Sequence, residues 1–555
     1  MTYPKKAAAR GLYVLIGLIV LSGLSIGEQK PLTVAESSDF KATSRLGDIQ
    51  AFIKELQRLS PNIRVETLCT STEGRDVPLL IIGKPAPSSP STLKEDERLV
   101  IYIQANIHAG EVEGKEASQM LARDLALNDK LPYLDRLVVL IAPDFNADGN
   151  EKISPENRSY QPGPEQGVGV RSNGQNLDLN RDSMKLESPE LQGLLKNVLR
   201  RWDPALLLDL HTTDGSYRED TVSYCWPLNP NGDKTLIEYQ RSQMLPAIGK
   251  ILLEKYENLS VPYGEFRDFK DPGKGWEVFD HVPRFVTNYT GLRNRLAFLD
   301  ENDVHADYKT RVLSCYHWLL AVLDYCHGHS EEISRLVSAA DQRTIQRGLN
   351  PPEQDGFIVE YELKQLPEPV TLHSWEMEVI PREGGWPEIK KTDKKRNYVM
   401  PYFADFQPKR TVRFPAAYLL PDADSVVIEK LGRHGIDLER LADRATLEVE
   451  TFRIKEIKAA QRLYQGHWTN QVKGEYVLGK REFPKGTVFV STAQPLGTLA
   501  AYLLEPESDD GLLVWNFFDR YLVPEWGRGY EIYPVFRLLK PTNVAKIALE
   551  NRPLP

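Results

Sequence analysis

Up to about residue 330, short apolar runs alternate with amphipathic stretches. Residues 79–82, 99–103, 137–142 and 205–210 are brief, largely apolar and bounded by polar or turn residues, as buried strands are. Residues 48–59, 112–127 and 189–200 carry apolar side chains at helical spacing. A further strand is expected at 295–299 and a long closing helix at 309–325. This alternation predicts an α/β fold, a mixed and mostly parallel sheet with helices on both faces.

After about residue 335 the pattern changes. Prolines at 351, 352, 367, 369, 381 and 387 punctuate a stretch with no long helical period. Strands are expected at 475–478, 487–491 and 531–537, and helices at 437–447 and 493–504. The division expected is a catalytic domain over 40–335 and a smaller strand-rich domain over 336–555. Aromatics near the end of the chain, Trp515, Phe517, Phe518 and Trp526, read as strand-packing core rather than a ligand face.

The N-terminus adds a separate element. Lys5, Lys6 and Arg10 precede an uncharged apolar run, 11–27, that ends in small residues. A basic start, an apolar middle and a small-residue end form a secretory signal, so residues 1–27 are expected to be a cleaved signal and the protein exported, periplasmic or secreted. The run nearly spans a bilayer, so the competing expectation is an uncleaved anchor, the chain's only route to a membrane. Composition narrows the class further. A hydrophobic fraction of 41% and a charged fraction of 26% over 555 residues fit a globular chain too long for one ordinary core. A net charge of −9 argues against nucleic acid as the main partner. Four cysteines, Cys69, Cys225, Cys315 and Cys326, lack zinc-type spacing and are too few for a disulfide scaffold.

The chemistry sits at strand ends. After the predicted strand 99–103 comes Gln104-Ala-Asn-Ile-His108-Ala-Gly-Glu111. A His and a Glu three apart, just past a buried strand, can aim at one point in the crevice where ligands of open α/β sheets bind. Imidazole nitrogen and carboxylate oxygen suit Zn²⁺. Alone, such a pair is more often a surface His beside a Glu that opens a helix. The nearby Glu113 and Glu116 are expected on that helix's solvated face. The second cluster, Asp209-Leu-His211, follows strand 205–210 and reaches the same crevice. Two His and one Glu leave a fourth position open, the mark of a catalytic rather than a structural site.

Between these clusters lie Asn146-Ala-Asp-Gly149 and Leu177-Asp178-Leu-Asn180-Arg181. In this order the motifs resemble the M14 family of zinc carboxypeptidases, over roughly residues 45–330. The stretch Glu73-Gly74-Arg75-Asp76 also fits that family. The resemblance implies one Zn²⁺ held by His108, Glu111 and His211, with Asp178 orienting the first histidine. It implies Asn180 and Arg181 on the terminal carboxylate of a peptide substrate, with Arg75 also at the substrate. A planar guanidinium does bind a carboxylate through two parallel hydrogen bonds.

The implied general base is Glu301, because Gly291-Leu-Arg-Asn-Arg-Leu-Ala-Phe-Leu-Asp-Glu301 resembles a subgroup in which that Glu is the base. Asp300 and Asp303 compete for the role. The implied oxyanion arginine is Arg171, with Arg158 not separated from it by spacing. Tyr289 is a candidate for the family's mobile substrate-site tyrosine. The function implied is metallocarboxypeptidase action. The alternatives are a zinc amidohydrolase or deacylase on non-protein amides, and a degenerate binding protein.

Overall fold

The computed structural model describes residues 30–93, 97–213, 215–353, 356–380, 388–422, 425–522 and 531–549. The predicted signal, residues 1–27, and Trp526 lie outside the described residues. No described helix is long and apolar enough to cross a membrane.

Eight strands form the first sheet: β1 Ile63–Thr70, β2 Asp76–Ile82, β3 Leu99–Ala105, β4 Leu137–Ala142, β5 Leu206–Thr212, β6 Val222–Cys225, β7 Ser260–Pro262 and β8 Leu296–Asn302. Their order is β1-β2-β4-β3-β5-β8-β6-β7. The centre, β4-β3-β5-β8, is parallel, and antiparallel pairings flank it. The sheet is therefore mixed with a parallel middle, as expected. The central strands are buried on both faces, which is why they read as continuous apolar runs.

Alternation divides that burial. Leu206, Leu208 and Leu210 join the core that also contains Leu121 of α2 (Glu113–Leu127) and Trp318 of α5 (Tyr308–Gly328). Leu207 faces the other way, into a core shared with Tyr418, Val490, Tyr502 and Trp515 of the C-terminal half. One apolar cluster thus runs from the first sheet into the second half of the chain. α1 (Leu46–Leu59), α3 (Leu245–Tyr256) and α4 (Val286–Leu292) complete the layers around the sheet.

The second half is strand-rich. Its main sheet has seven strands, the longest being Ala445–Ala459 and Asn470–Phe483. A long hairpin pairs Val370–Ile380 with Glu388–Met400. Tyr402–Val412 pairs with Phe357–Gln365 and also with Trp276–Glu277, so one small sheet draws on both halves. Residue 335 falls inside α6 (Ser330–Leu349), which runs on from the end of α5. Trp515 and Phe518 are buried in the shared core, as core aromatics should be.

Two expectations fail. The helix predicted at 437–447 is instead the short strand Glu439–Leu441 and the start of Ala445–Ala459. Apolar residues at 438, 441 and 447 mimic helical spacing, but the alternating burial of Leu447, Val449 and Glu448 shows a period of two. Glu113 and Glu116, expected on a solvated face, are fully buried. Glu113 binds the Arg311 guanidinium at 2.9 Å, and Glu116 accepts from the Ser44 backbone N–H at 2.7 Å and the Thr43 hydroxyl at 2.9 Å. Charges that deep are retained because each has its partner.

Candidate active site

The chain leaves β3 sharply. Asn106 takes a left-handed φ of 64°, which Asn tolerates better than most residues, and its side chain donates to Asp144 at 2.7 Å. The turn that follows carries His108 and Glu111 to the carboxyl end of the sheet. A Cβ on Gly110 would stand 2.7 Å from Arg158 Cδ and would push the arginine that holds Glu111. His211 comes from β5 itself, one residue before its end, and Glu301 of β8 lies beside it in register.

The three expected ligands converge. Glu111 Oε1 is 3.1 Å from His108 Nδ1, and Glu111 Oε2 is 2.9 Å from His211 Nδ1. The two Nδ1 atoms are 3.1 Å apart, and one ligand atom from each residue falls within 4.8 Å of the others. All three residues are buried. The outward nitrogens are held as well. His108 Nε2 is 3.0 Å from Asp178 Oδ1, and His211 Nε2 is 2.8 Å from Asp209 Oδ2. Two imidazoles aimed by carboxylates, plus a third carboxylate and an open side, are the donor set of a catalytic zinc site.

Asp209 had no role in the sequence reading. The signal was available, because positions i and i+2 of a strand share a face, so Asp209 accompanies His211. Gln104 on the neighbouring strand donates to Asp209 at 2.9 Å and fixes it. The carboxylates respond to this packing. Burial pushes Asp178 up, but His108, then Arg171 and Arg181, outweigh it and hold the carboxyl below its ordinary range. Glu111 follows the same balance, pulled well down by His108 and Arg158.

A cleft of about 470 Å³ opens in front of the ligands. Glu301, Arg158, Arg171, Asn180 and Arg181 line it. Asp300 points the other way, buried beside the Cys315 thiol at 3.4 Å, and burial pushes its carboxyl up to about 8. Asp303 is buried outside the cleft lining. Of the three acids, alternation along β8 brings Glu301 to the open side.

The arginines differ in what they hold. Arg158 Nη1 donates to Glu111 at 2.6 Å and Nη2 to the Thr212 carbonyl at 3.2 Å, leaving its side chain 16% exposed. Arg171 holds Asp178 through Nε at 2.9 Å, its Nη1 stands 3.5 Å from Glu111 Oε1, and at 48% exposure it lines the cleft. Asn180 Oδ1 accepts from the backbone N–H of Val286, at the start of α4, at 2.9 Å. Arg181 lies over the Phe285 ring at 4.3 Å.

Two expected residues stand elsewhere. Arg75 is not among the lining residues; Glu73 and the buried Asp148 hold its Nη1 at 2.6 and 2.7 Å, so its charge is already committed. Tyr289 is fully buried with its hydroxyl 2.7 Å from His434 Nδ1. The aromatics that do line the cleft are Tyr263, Phe279 and Phe285, which no motif marked. All four cysteines are unpaired.

This geometry is of a recognised class. Residues 49–214 match the Peptidase_M14 family model, zinc carboxypeptidase. It is similar to Carboxypeptidase 2 of Trichophyton rubrum, 22% identical over 503 residues that cover 84% of this chain and 81% of that protein. Carboxypeptidase 2 of Trichophyton equinum is 23% identical over 492 residues, with the same coverage of 84% and 81%. Among solved structures, a metallo-carboxypeptidase from Burkholderia cenocepacia is 17% identical with a TM-score of 0.38, covering 52% of this chain and 70% of that one. Carboxypeptidase A from Helicoverpa armigera is 15% identical with a TM-score of 0.40, covering 54% and 75%.

Proposed function

We propose that the protein is an exported metallocarboxypeptidase that removes the C-terminal residue of a peptide carrying a free carboxylate. One observation carries this reading: His108, Glu111 and His211 converge in the cleft that Glu301, Asn180 and Arg181 also line. His108, Glu111 and His211 would hold a zinc ion, which would supply Lewis acidity and lower the pKa of water there toward about 7. Glu301 takes the proton of the attacking water and passes it to the leaving amine. Arg171, the more exposed of the two arginines, donates to the carbonyl oxygen as it gains negative charge. Arg181 and the Asn180 amide grip the substrate's terminal carboxylate, which fixes where the chain is cut.

The side chain of the residue removed meets Tyr263, Phe279, Phe285 and Leu299, so apolar C-terminal residues fit better than charged ones. N-acylated dipeptides ending in Phe or Leu should be cleaved, and their C-terminal amides should not. Equal turnover of acid and amide would refute carboxylate recognition and favour a general amidohydrolase. Export rests on the basic and apolar N-terminus, which fits a signal removed near residue 27. The catalytic unit is assigned to 40–335 and the strand-rich unit to 336–555.

A further inference from the structure

The C-terminal half reaches the metal centre through a hairpin turn. Between the strands Ala445–Ala459 and Asn470–Phe483 the chain makes a two-residue hairpin turn, in which Tyr464 and His467 exchange both backbone hydrogen bonds at 2.9 Å. The two central residues, Gln465 and Gly466, have φ of 49° and 81°. Turns with both central φ positive are the territory of Asn-Gly and Gly-Gly. Gln gains little in that region, and a strained residue persists where its surroundings demand it.

The demand is visible. Gln465 Oε1 accepts the backbone N–H of Asp178 at 2.9 Å, across 287 residues of sequence. Asp178 is the carboxylate on His108 Nε2, and the same Oδ1 accepts from the Asn180 backbone N–H at 3.0 Å. The turn is itself anchored. His467 Nε2 lies 2.9 Å from Glu187 Oε1, and its Nδ1 lies 3.1 Å from Asn516 Oδ1. The Arg284 guanidinium sits over the Tyr464 ring at 5.4 Å and pairs with Asp510 at 3.0 Å, next to the Phe285 that supports Arg181.

We propose that Gln465 is a positioning residue for the metal centre. The C-terminal half, through this one side chain, fixes the backbone at residue 178 so that Asp178 keeps His108 Nδ1 aimed inward. The inference rests on the zinc reading of the site given above. Carboxylates directly behind a metal-bound imidazole, as Asp178 is, typically change metal affinity by about 10–100-fold when lost, and Gln465, one contact further out, acts at the lower end of that range.

The test uses the full chain with zinc bound. Gln465→Gly removes the acceptor while easing the positive φ, so the turn is kept. Gln465→Asn keeps a residue suited to the turn but one methylene too short to reach. Both should release zinc to a chelating dye about tenfold faster than wild type, with the melting temperature unchanged or raised. Both should lower kcat with little change in KM. Gln465→Glu retains an acceptor oxygen at the same reach and should restore slow zinc release. Wild-type zinc release and kcat in both Gly and Asn variants would overturn the inference while leaving the peptidase reading intact. A wild-type protein without stoichiometric zinc would overturn the reading beneath it, and this one with it.

Discussion

Adjacent carboxylates on β8 make the sharpest test of the site. Glu301 and Asp300 are neighbours in sequence but lie on opposite faces of one strand. Glu301 lines the cleft beside His211, whereas Asp300 is fully buried with Cys315 and Asn302 at 3.4 and 3.3 Å. Glu301→Gln keeps the shape and removes the base, so kcat should fall by about 10²–10⁴-fold, or about 3–5 kcal/mol of barrier. Asp300→Asn should leave kcat nearly unchanged.

Stability should move the other way. Burial raises the Asp300 carboxyl from 3.8 to about 8, so at pH 7 the folded protein keeps a proton that the unfolded chain gives up. A carboxyl raised on folding costs stability between those two values, and at pH 7 that cost approaches about 4 kcal/mol as an upper bound. An amide is neutral throughout, so Asp300→Asn should melt higher than wild type at pH 7. The gain should shrink as pH falls toward 3.8. The assay pairs steady-state hydrolysis of an N-acylated dipeptide with zinc content and melts at several pH values. Near-wild-type turnover by zinc-loaded Glu301→Gln, or its loss in zinc-loaded Asp300→Asn, would refute the face assignment.

Three other outcomes follow from the same contacts. Arg181→Ala should lower kcat/KM on free-acid peptides by about 10²-fold and barely alter the slow cleavage of amides, since only the carboxylate pairing is lost. Arg171→Ala should lower kcat by about 10²–10³-fold with zinc retained; a KM effect alone would move Arg171 from the oxyanion to substrate binding. His281 of the first half, its Nε2 2.9 Å from Asp509 of the second, is held up at about 9 although burial opposes its charge, because Asp280 and Asp509 flank it. Its folded value exceeds its unfolded value near 6.5, so its contribution is complete below that pH and is lost as pH rises through 9. His281→Gln should therefore cost about 3 kcal/mol more at pH 6 than at pH 10, as read by denaturant unfolding.

What the sequence made legible was local. The runs at 99–103, 137–142 and 205–210 announce central strands because their burial is two-sided. His108, Glu111 and His211 were readable because each follows or ends such a strand, and strand ends in these sheets face the ligand crevice. Asp209 obeyed the same rule and was passed over for want of a motif. The failures have a common cause. Glu113 and Glu116 look like surface residues until Arg311, Thr43 and Ser44 arrive from distant segments to satisfy them. Arg75 has the chemistry of a substrate ligand, but Asp148 occupies it.

The same separation explains why the second half said so little in sequence. Tyr263 and Phe279 of the cleft wall flank the short strands Glu265–Phe266 and Trp276–Glu277, which Tyr402–Val412 and Phe357–Gln365 extend into one small sheet. Gln465 has no local reason to sit at a left-handed turn position, and its reason is the N–H of Asp178. A residue that breaks a local preference and is met by a partner hundreds of positions away marks where the two halves constrain each other. The shared core of Leu207 with Tyr418, Tyr502 and Trp515 makes that constraint stiff. The strand-rich half thus acts as a structural part of the centre, holding from behind the backbone of the residue whose carboxylate aims His108.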